Sequence, residues 1–268
     1  MKIRNVIFRI VKRLGFLSLK PVVFLHLQKT AGTSIVDIAR QFYGNDHVIS
    51  HGAYLLEANG LLSNEKSFQK DHSQSILMPT QFISGHFGYD FAKQFMESHY
   101  SFTFLRNPVE RILSFYYFCK IRDPNQFKHY ELAQRLSLDE FLELGYTDPD
   151  IKAHIWNYQV SQLATGWGST KGLVLSDAEL LALAIQHLDD FSYVGFTESY
   201  DEDQDKILKD IGITIPVGKH KSNATPGRPL FEGISQSSKD LLMGLTELDR
   251  VLYEKAWSKR NSLNGING

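Results

Sequence analysis

Three short stretches carry the residue types that chemistry needs. The first is Gln28-Lys-Thr-Ala-Gly-Thr-Ser34, where one cation, one glycine and the hydroxyls of Thr30, Thr33 and Ser34 fall together. An ammonium, hydroxyl donors and the free N–H groups of a helix start are what a phosphate or similar anion needs. The spacing is not G-x-x-x-x-G-K-[ST], because Lys29 precedes Gly32, so its amine would approach an anion from the strand side of the turn. The second stretch is Arg106-Asn-Pro-Val-Glu-Arg-Ile-Leu-Ser114, which puts a guanidinium ahead of a capped helix start. The third is Gly85-His-Phe-Gly88, an imidazole with glycines that let a ligand approach. A histidine between aromatics is more often structural than basic, so His86 on its own is a weak candidate for a general base.

The flanking patterns say how these groups are carried. Residues 22–27 are a nearly unbroken apolar run, as in a buried parallel strand. Ile35, Ile38, Ala39 and Phe42 then recur with helical spacing and stop near Gly44. Lys29 to Ser34 therefore form a strand-to-helix turn. Residues 100–105 predict a second strand. Asn107 follows as N-cap and Pro108 as first helical residue, with the helix running on to about residue 120. Magnesium-dependent phosphotransferases place an Asp at the end of such a later strand. Arg106 binds anions and cannot hold magnesium, so the pattern suits an anion site without a metal.

Phe82 and Ile83 predict a short strand before His86. Residues 45–80 read as polar and irregular, and His47, His51, His72, Glu57 and Glu65 match no metal-ligand spacing. Ser137/Glu140 and Ser176/Glu179 are capping boxes opening helices over residues 138–144 and 178–188. Further helices are predicted over 151–163, 204–211 (stopped by Gly212) and 237–260, with a short strand at 193–196. Residues 217–229 form a basic Gly/Pro-rich loop holding Lys219, His220, Lys221 and Arg228, which could close over an anion or be a solvated surface loop. Lys128, His129 and Arg135 suggest a basic approach to the site.

The chain has 268 residues, 43% hydrophobic and 22% charged, enough for one large α/β domain over about 21–262. Its formal net charge of −1 gives no case for nucleic acid. The single cysteine, Cys119, excludes an internal disulfide and a multi-cysteine zinc site, and it fits a reducing compartment. Residues 1–20 carry Lys2, Arg4, Arg9, Lys12, Arg13 and Lys20 and no acid, with Ile3, Ile7, Ile10, Val11 and Leu14 on one helical face. Such a segment either lies on an anionic membrane or packs on the domain.

Together the motifs resemble the PAPS-dependent sulfotransferases, most closely the carbohydrate type exemplified by heparan sulfate and uronyl 2-O-sulfotransferases. Lys29-Thr-Ala-Gly-Thr-Ser34 looks like that family's 5′-phosphosulfate loop, and Arg106 with Ser114 like its 3′-phosphate motif. Gly85-His-Phe-Gly-Tyr-Asp90 resembles the segment carrying its catalytic His. Residues 193–198 and the 219–228 loop are weaker matches. The resemblance spans about residues 22–230. It implies a three-layer, P-loop-like α/β fold with a central parallel sheet flanked by helices. It implies His86 as base and Lys29 as catalytic cation. Cofactor contacts would come from Lys29, Thr30, Ala31, Gly32, Thr33, Ser34, Arg106, Ser114, Lys221 and Ser222.

The implied co-substrate is PAPS, with PAP as product and no metal, and the implied partner is an acceptor glycan or other hydroxyl-bearing molecule. The 2-O enzymes carry a second His two residues before the catalytic one, where this chain has Ser84, so His86 is expected to act alone. The family's Golgi members have a membrane anchor and disulfides; with neither read here, a bacterial or other cytosolic enzyme is expected. A P-loop kinase, requiring ATP and magnesium, and a non-catalytic PAP- or glycan-binding member are the competing readings.

Overall fold

The structure, a computed structural model, describes residues 20–50, 80–166, 174–213 and 231–265. The basic N-terminal segment, His51, Glu57, Glu65 and His72, and the 217–229 loop with Lys219, His220, Lys221, Ser222 and Arg228 lie outside them. The described chain divides into two compact units. The first holds residues 20–27, 31–50, 80–104 and 189–213; the second holds 28–30, 105–166, 174–188 and 231–265.

The first unit is built on a five-stranded, all-parallel sheet. Its strands are β1 (Val22–Leu25), β2 (Val48–Ile49), β3 (Phe82–Gly85), β4 (Tyr100–Leu105) and β5 (Tyr193–Phe196), in the order β2-β3-β1-β4-β5. β1 pairs with β3 (Val22 opposite Phe82, Leu25 opposite Gly85) and with β4 (Val22 opposite Tyr100, Leu25 opposite Thr103). Val22, Val23, Phe24 and Leu25 are all fully buried. Both faces of the central strand are covered, which is why its sequence is an unbroken apolar run rather than an alternation.

Helix α1 (Gly32–Tyr43) carries the chain from β1 to β2, and α2 (Tyr89–Met96) carries it from β3 to β4. The two connections travel in opposite directions along the sheet. Right-handed crossovers therefore put α1 and α2 on opposite faces, giving three layers. Ile35, Ile38 and Ala39 of α1 and Ile207 and Leu208 of α9 (Tyr200–Asp210) pack with Phe24, Phe82, Phe102 and Phe104. The Phe24 and Phe102 rings stack 4.4 Å apart. β1 and β4 are neighbours whose connections leave in opposite directions, the topological switch at which open α/β sheets bind ligands beyond the strands' carboxyl ends.

The second unit is helical. It contains α3 (Pro108–Cys119), α4 (Lys128–Arg135), α5 (Leu138–Thr147), α6 (Pro149–Ile155), α7 (Tyr158–Ala164), α8 (Asp177–Leu188), α10 (Gln236–Leu245) and α11 (Glu247–Gly265). Ile112, Leu113 and Tyr116 of α3 pack with Phe141 and Leu142 of α5, Ile155 of α6 and Leu245 of α10. Asn107 caps α3 by accepting from the Glu110 N–H, and Ser137 and Glu140 form the reciprocal capping box of α5. Ser176 and Glu179 exchange the same pair of bonds ahead of α8.

Two helices predicted as single are each split. The 151–163 segment breaks at Asn157, which takes the left-handed conformation at φ 40°. Its side-chain oxygen accepts the Leu248 and Asp249 N–H groups, so the break also caps α11. The 237–260 segment breaks at the buried Thr246, whose hydroxyl bonds back to Leu242 O. Residues 45–50, read as irregular, hold a 3-10 turn and the short β2.

Candidate active site

The chain leaves β1 through His26 and Leu27 and turns sharply. Lys29 and Ala31 both hold positive φ, 68° and 66°. Such angles cost a non-glycine residue on the order of 1 kcal/mol each, and that kind of strain collects at ligand-binding loops. Ala31 then stands at the N-cap of α1 with no side-chain cap, and the first turn holds no acid. No carboxylate in the first turn therefore offsets the positive end of the helix dipole. Thr30 is fully buried and Thr33 exposed. The Ser34 hydroxyl bonds the Tyr200 hydroxyl of α9, which burial holds up at about 12.

Gly32 is required by its surroundings. A Cβ there would lie 2.4 Å from the His26 ring and 2.7 Å from Phe24. The His26 ring stacks on Phe24 and stands 4.6 Å, centroid to centroid, from the His86 ring. His86 Nδ1 meets the His26 carbonyl oxygen at 2.6 Å. A carbonyl only accepts, so Nδ1 carries the proton and Nε2 is the basic nitrogen. The sequence predicted a solitary histidine. Beside it the fold places the His26 ring, one residue past the end of β1.

In the helical unit, Lys29 lays its ammonium 3.8 Å from the centre of the Phe118 ring. Burial first, and the Arg106 guanidinium second, lower its pKa to about 8. Arg106 donates through Nη1 to the Lys29 carbonyl at 3.0 Å and lies 4.0 Å from the Glu110 carboxylate. Lys29 and Arg106, seventy-odd positions apart in sequence, are therefore brought together. Ser114 is buried two turns into α3 and makes no side-chain hydrogen bond among the described residues.

The support behind Arg106 was not legible in sequence. Gln159 grips its backbone twice: Arg106 N–H donates to Gln159 Oε1 at 3.0 Å, and Gln159 Nε2 donates to Arg106 O at 2.9 Å. Asp249 in turn accepts the N–H groups of Gln159 and Val160. Burial lifts the Asp249 carboxyl to about 6, against the pull of Arg111. Arg111 is itself fully buried, bonded to His154 O at 2.7 Å and laid over the Tyr158 ring. Of the three basic residues suggested for the approach, Lys128 pairs with Asp148, Arg135 pairs with Glu131, and His129 is buried.

The parallel α/β sheet has an uncapped, strained turn after its central strand, β1, and Arg106 directly after β4. The model of the sulfotransferase family matches residues 19–255, and the chain belongs to that family. It is a transferase of sulfuryl groups that acts on a hydroxyl-bearing acceptor. No curated protein matches the sequence. Among the described residues no helix is long and apolar enough to cross a membrane.

Proposed function

We propose that the chain moves the sulfuryl group of PAPS to an acceptor hydroxyl, on a carbohydrate, without a metal in the transfer step. The observation that carries this reading is the His86 tautomer. Its Nδ1–H is committed to the His26 carbonyl, which leaves Nε2 as the nitrogen able to take a proton. In the reaction the acceptor oxygen attacks sulfur as its proton passes to His86 Nε2. The bond from sulfur to the bridging oxygen breaks, and that oxygen's electron pair stays on the 5′-phosphate of PAP. Lys29 meets the charge growing on the bridging oxygen. The backbone from Thr30 to Ser34 holds the 5′-phosphate. Arg106 holds the 3′-phosphate, reaching forward along α3 toward Ser114; Lys221 and Ser222, the other expected cofactor contacts, lie outside the described residues. Metal independence is supported by the guanidinium at the position where magnesium enzymes keep a carboxylate.

Thermal unfolding with PAP, 5′-AMP and ATP, each in EDTA and in magnesium, tests the reading. PAP should stabilise strongly in EDTA and AMP and ATP little. Arg106→Ala should lose the preference for PAP over AMP. Stabilisation by ATP with magnesium alone would overturn the reading, as would PAP binding without turnover of PAPS on any hydroxyl acceptor.

A further inference from the structure

We infer that His129, Asp150 and His154 form a site for a divalent transition-metal ion of the zinc class. The inference concerns the helical unit alone and does not rest on the donor or acceptor of the transfer reaction. Asp150 and His154 lie four residues apart on α6, so they project from one face a turn apart. His129 comes from the first turn of α4. One donor atom from each of the three converges to within 4.8 Å of the other two.

The separation of two of these atoms is informative. His129 Nδ1 and Asp150 Oδ2 are 3.5 Å apart, and both are buried without a hydrogen bond. At that distance the two form a loose ion pair, and His129 lowers the pKa of the Asp150 carboxyl, but the contact is too long for a good hydrogen bond. It is the edge of a tetrahedron: two ligands at zinc distances of 2.0–2.1 Å stand roughly 3.4 Å apart. Two buried polar atoms left in this way need a further partner.

The third ligand is prepared. His154 Nδ1 meets the Gln28 side-chain oxygen at 3.2 Å. With that side-chain oxygen as acceptor, Nδ1 carries the proton and Nε2 the lone pair. An outer partner that fixes the tautomer in this way is what metal-binding histidines almost always have. The rings are held by packing: His154 stacks on Phe115 at 4.9 Å, His129 on Phe127 at 5.3 Å, and the two imidazoles lie 4.3 Å apart. Arg111, a buried cation, donates to the His154 backbone carbonyl, and its charge acts on both His154 and Asp249.

Two imidazoles and one carboxylate suit zinc, cobalt(II) or nickel(II) rather than calcium or magnesium, which take oxygen cages. Three protein ligands leave the fourth position of a tetrahedral ion for water. Bound there, the ion would tie α4 to α6.

The test uses untagged full-length protein. Metal analysis after purification without chelator should find close to one zinc per chain. After EDTA stripping and dialysis, zinc chloride at about 100 times its Kd should raise the unfolding temperature by on the order of 5 °C. Cobalt(II) should give tetrahedral visible bands. Asp150→Asn and His129→Gln should each abolish the zinc-induced rise and the cobalt bands while keeping the wild-type circular dichroism. These two variants carry the test because His154 is too buried to alter safely. Absence of any zinc-induced rise in the wild type, or an equal rise in Asp150→Asn, overturns the site.

Discussion

His86 presents Nδ1 to the carbonyl oxygen of His26 at 2.6 Å, and the two rings lie 4.6 Å apart at the carboxyl ends of adjacent parallel strands. The bond that fixes the tautomer is made by backbone, while the ring contact is made by side chain. The two can be separated by mutation. His86→Ala should cost about 10²–10⁴-fold in turnover with PAP affinity kept. His26→Phe leaves the carbonyl in place and should cost roughly tenfold or less. Steady-state rates beside PAP titrations decide it; near-normal turnover of His86→Ala removes that residue from the reaction.

Gly32→Ala should destabilise, although an alanine in a helix is ordinarily favoured over glycine by roughly 1 kcal/mol. The new methyl would meet His26 at 2.4 Å and Phe24 at 2.7 Å, both held from moving by stacking. Overpacking of this kind costs about 1–3 kcal/mol. Urea unfolding reads the sign, and a stabilised variant would contradict the packing described.

PAP affinity should fall as pH rises through about 8, where Lys29 loses its proton. A bound anion favours the ammonium, so binding near pH 8 must take up protons. Calorimetry in two buffers of different ionisation heat measures that uptake directly. Lys29→Met should bind more weakly and show no such uptake; identical uptake in the variant would assign the proton elsewhere.

Asp249→Ala should unfold the helical unit more readily than an ordinary surface change. It orphans the Gln159 and Val160 N–H groups and strips Arg111 of its facing carboxylate. Each buried donor left unsatisfied costs about 1–3 kcal/mol, and Arg111 also loses a nearby opposite charge. Chemical denaturation checks the magnitude, and a loss under ~1 kcal/mol would show that Asp249 is not holding this network.

The sequence marks what is local. β4 and β5 fall where the apolar runs put them, β1 ends two residues short of its run, and the Asn107 and Ser137 caps lie at the expected helix starts. Lys29 and Arg106 could be picked out because each sits at a strand-to-helix junction. What could not be read is long-range. His26 looked like one more residue of an apolar run until β3 aligned beside β1. Gln159 and Asp249 are ordinary polar residues: Gln159 matters because it grips Arg106, and Asp249 because it holds the Gln159 backbone. The splits at Asn157 and Thr246 are absent from the apolar period because side-chain bonds made after packing cause them. The spacing of Asp150 and His154 was present in the sequence. It gained meaning only once α4 brought His129 beside them.

β5 pairs at the edge of the sheet beside β4, yet residues 106–192 intervene between the two strands. Closing so long a connection costs little at equilibrium, since each doubling of length adds only ~0.6 kcal/mol, but non-local pairing slows folding. During synthesis β1, β3 and β4 are complete long before Tyr193 leaves the ribosome. The edge of β4 must then wait uncovered, open to pairing with another chain. Nascent chains stalled within α8 should therefore be the most aggregation-prone stage in this protein's life.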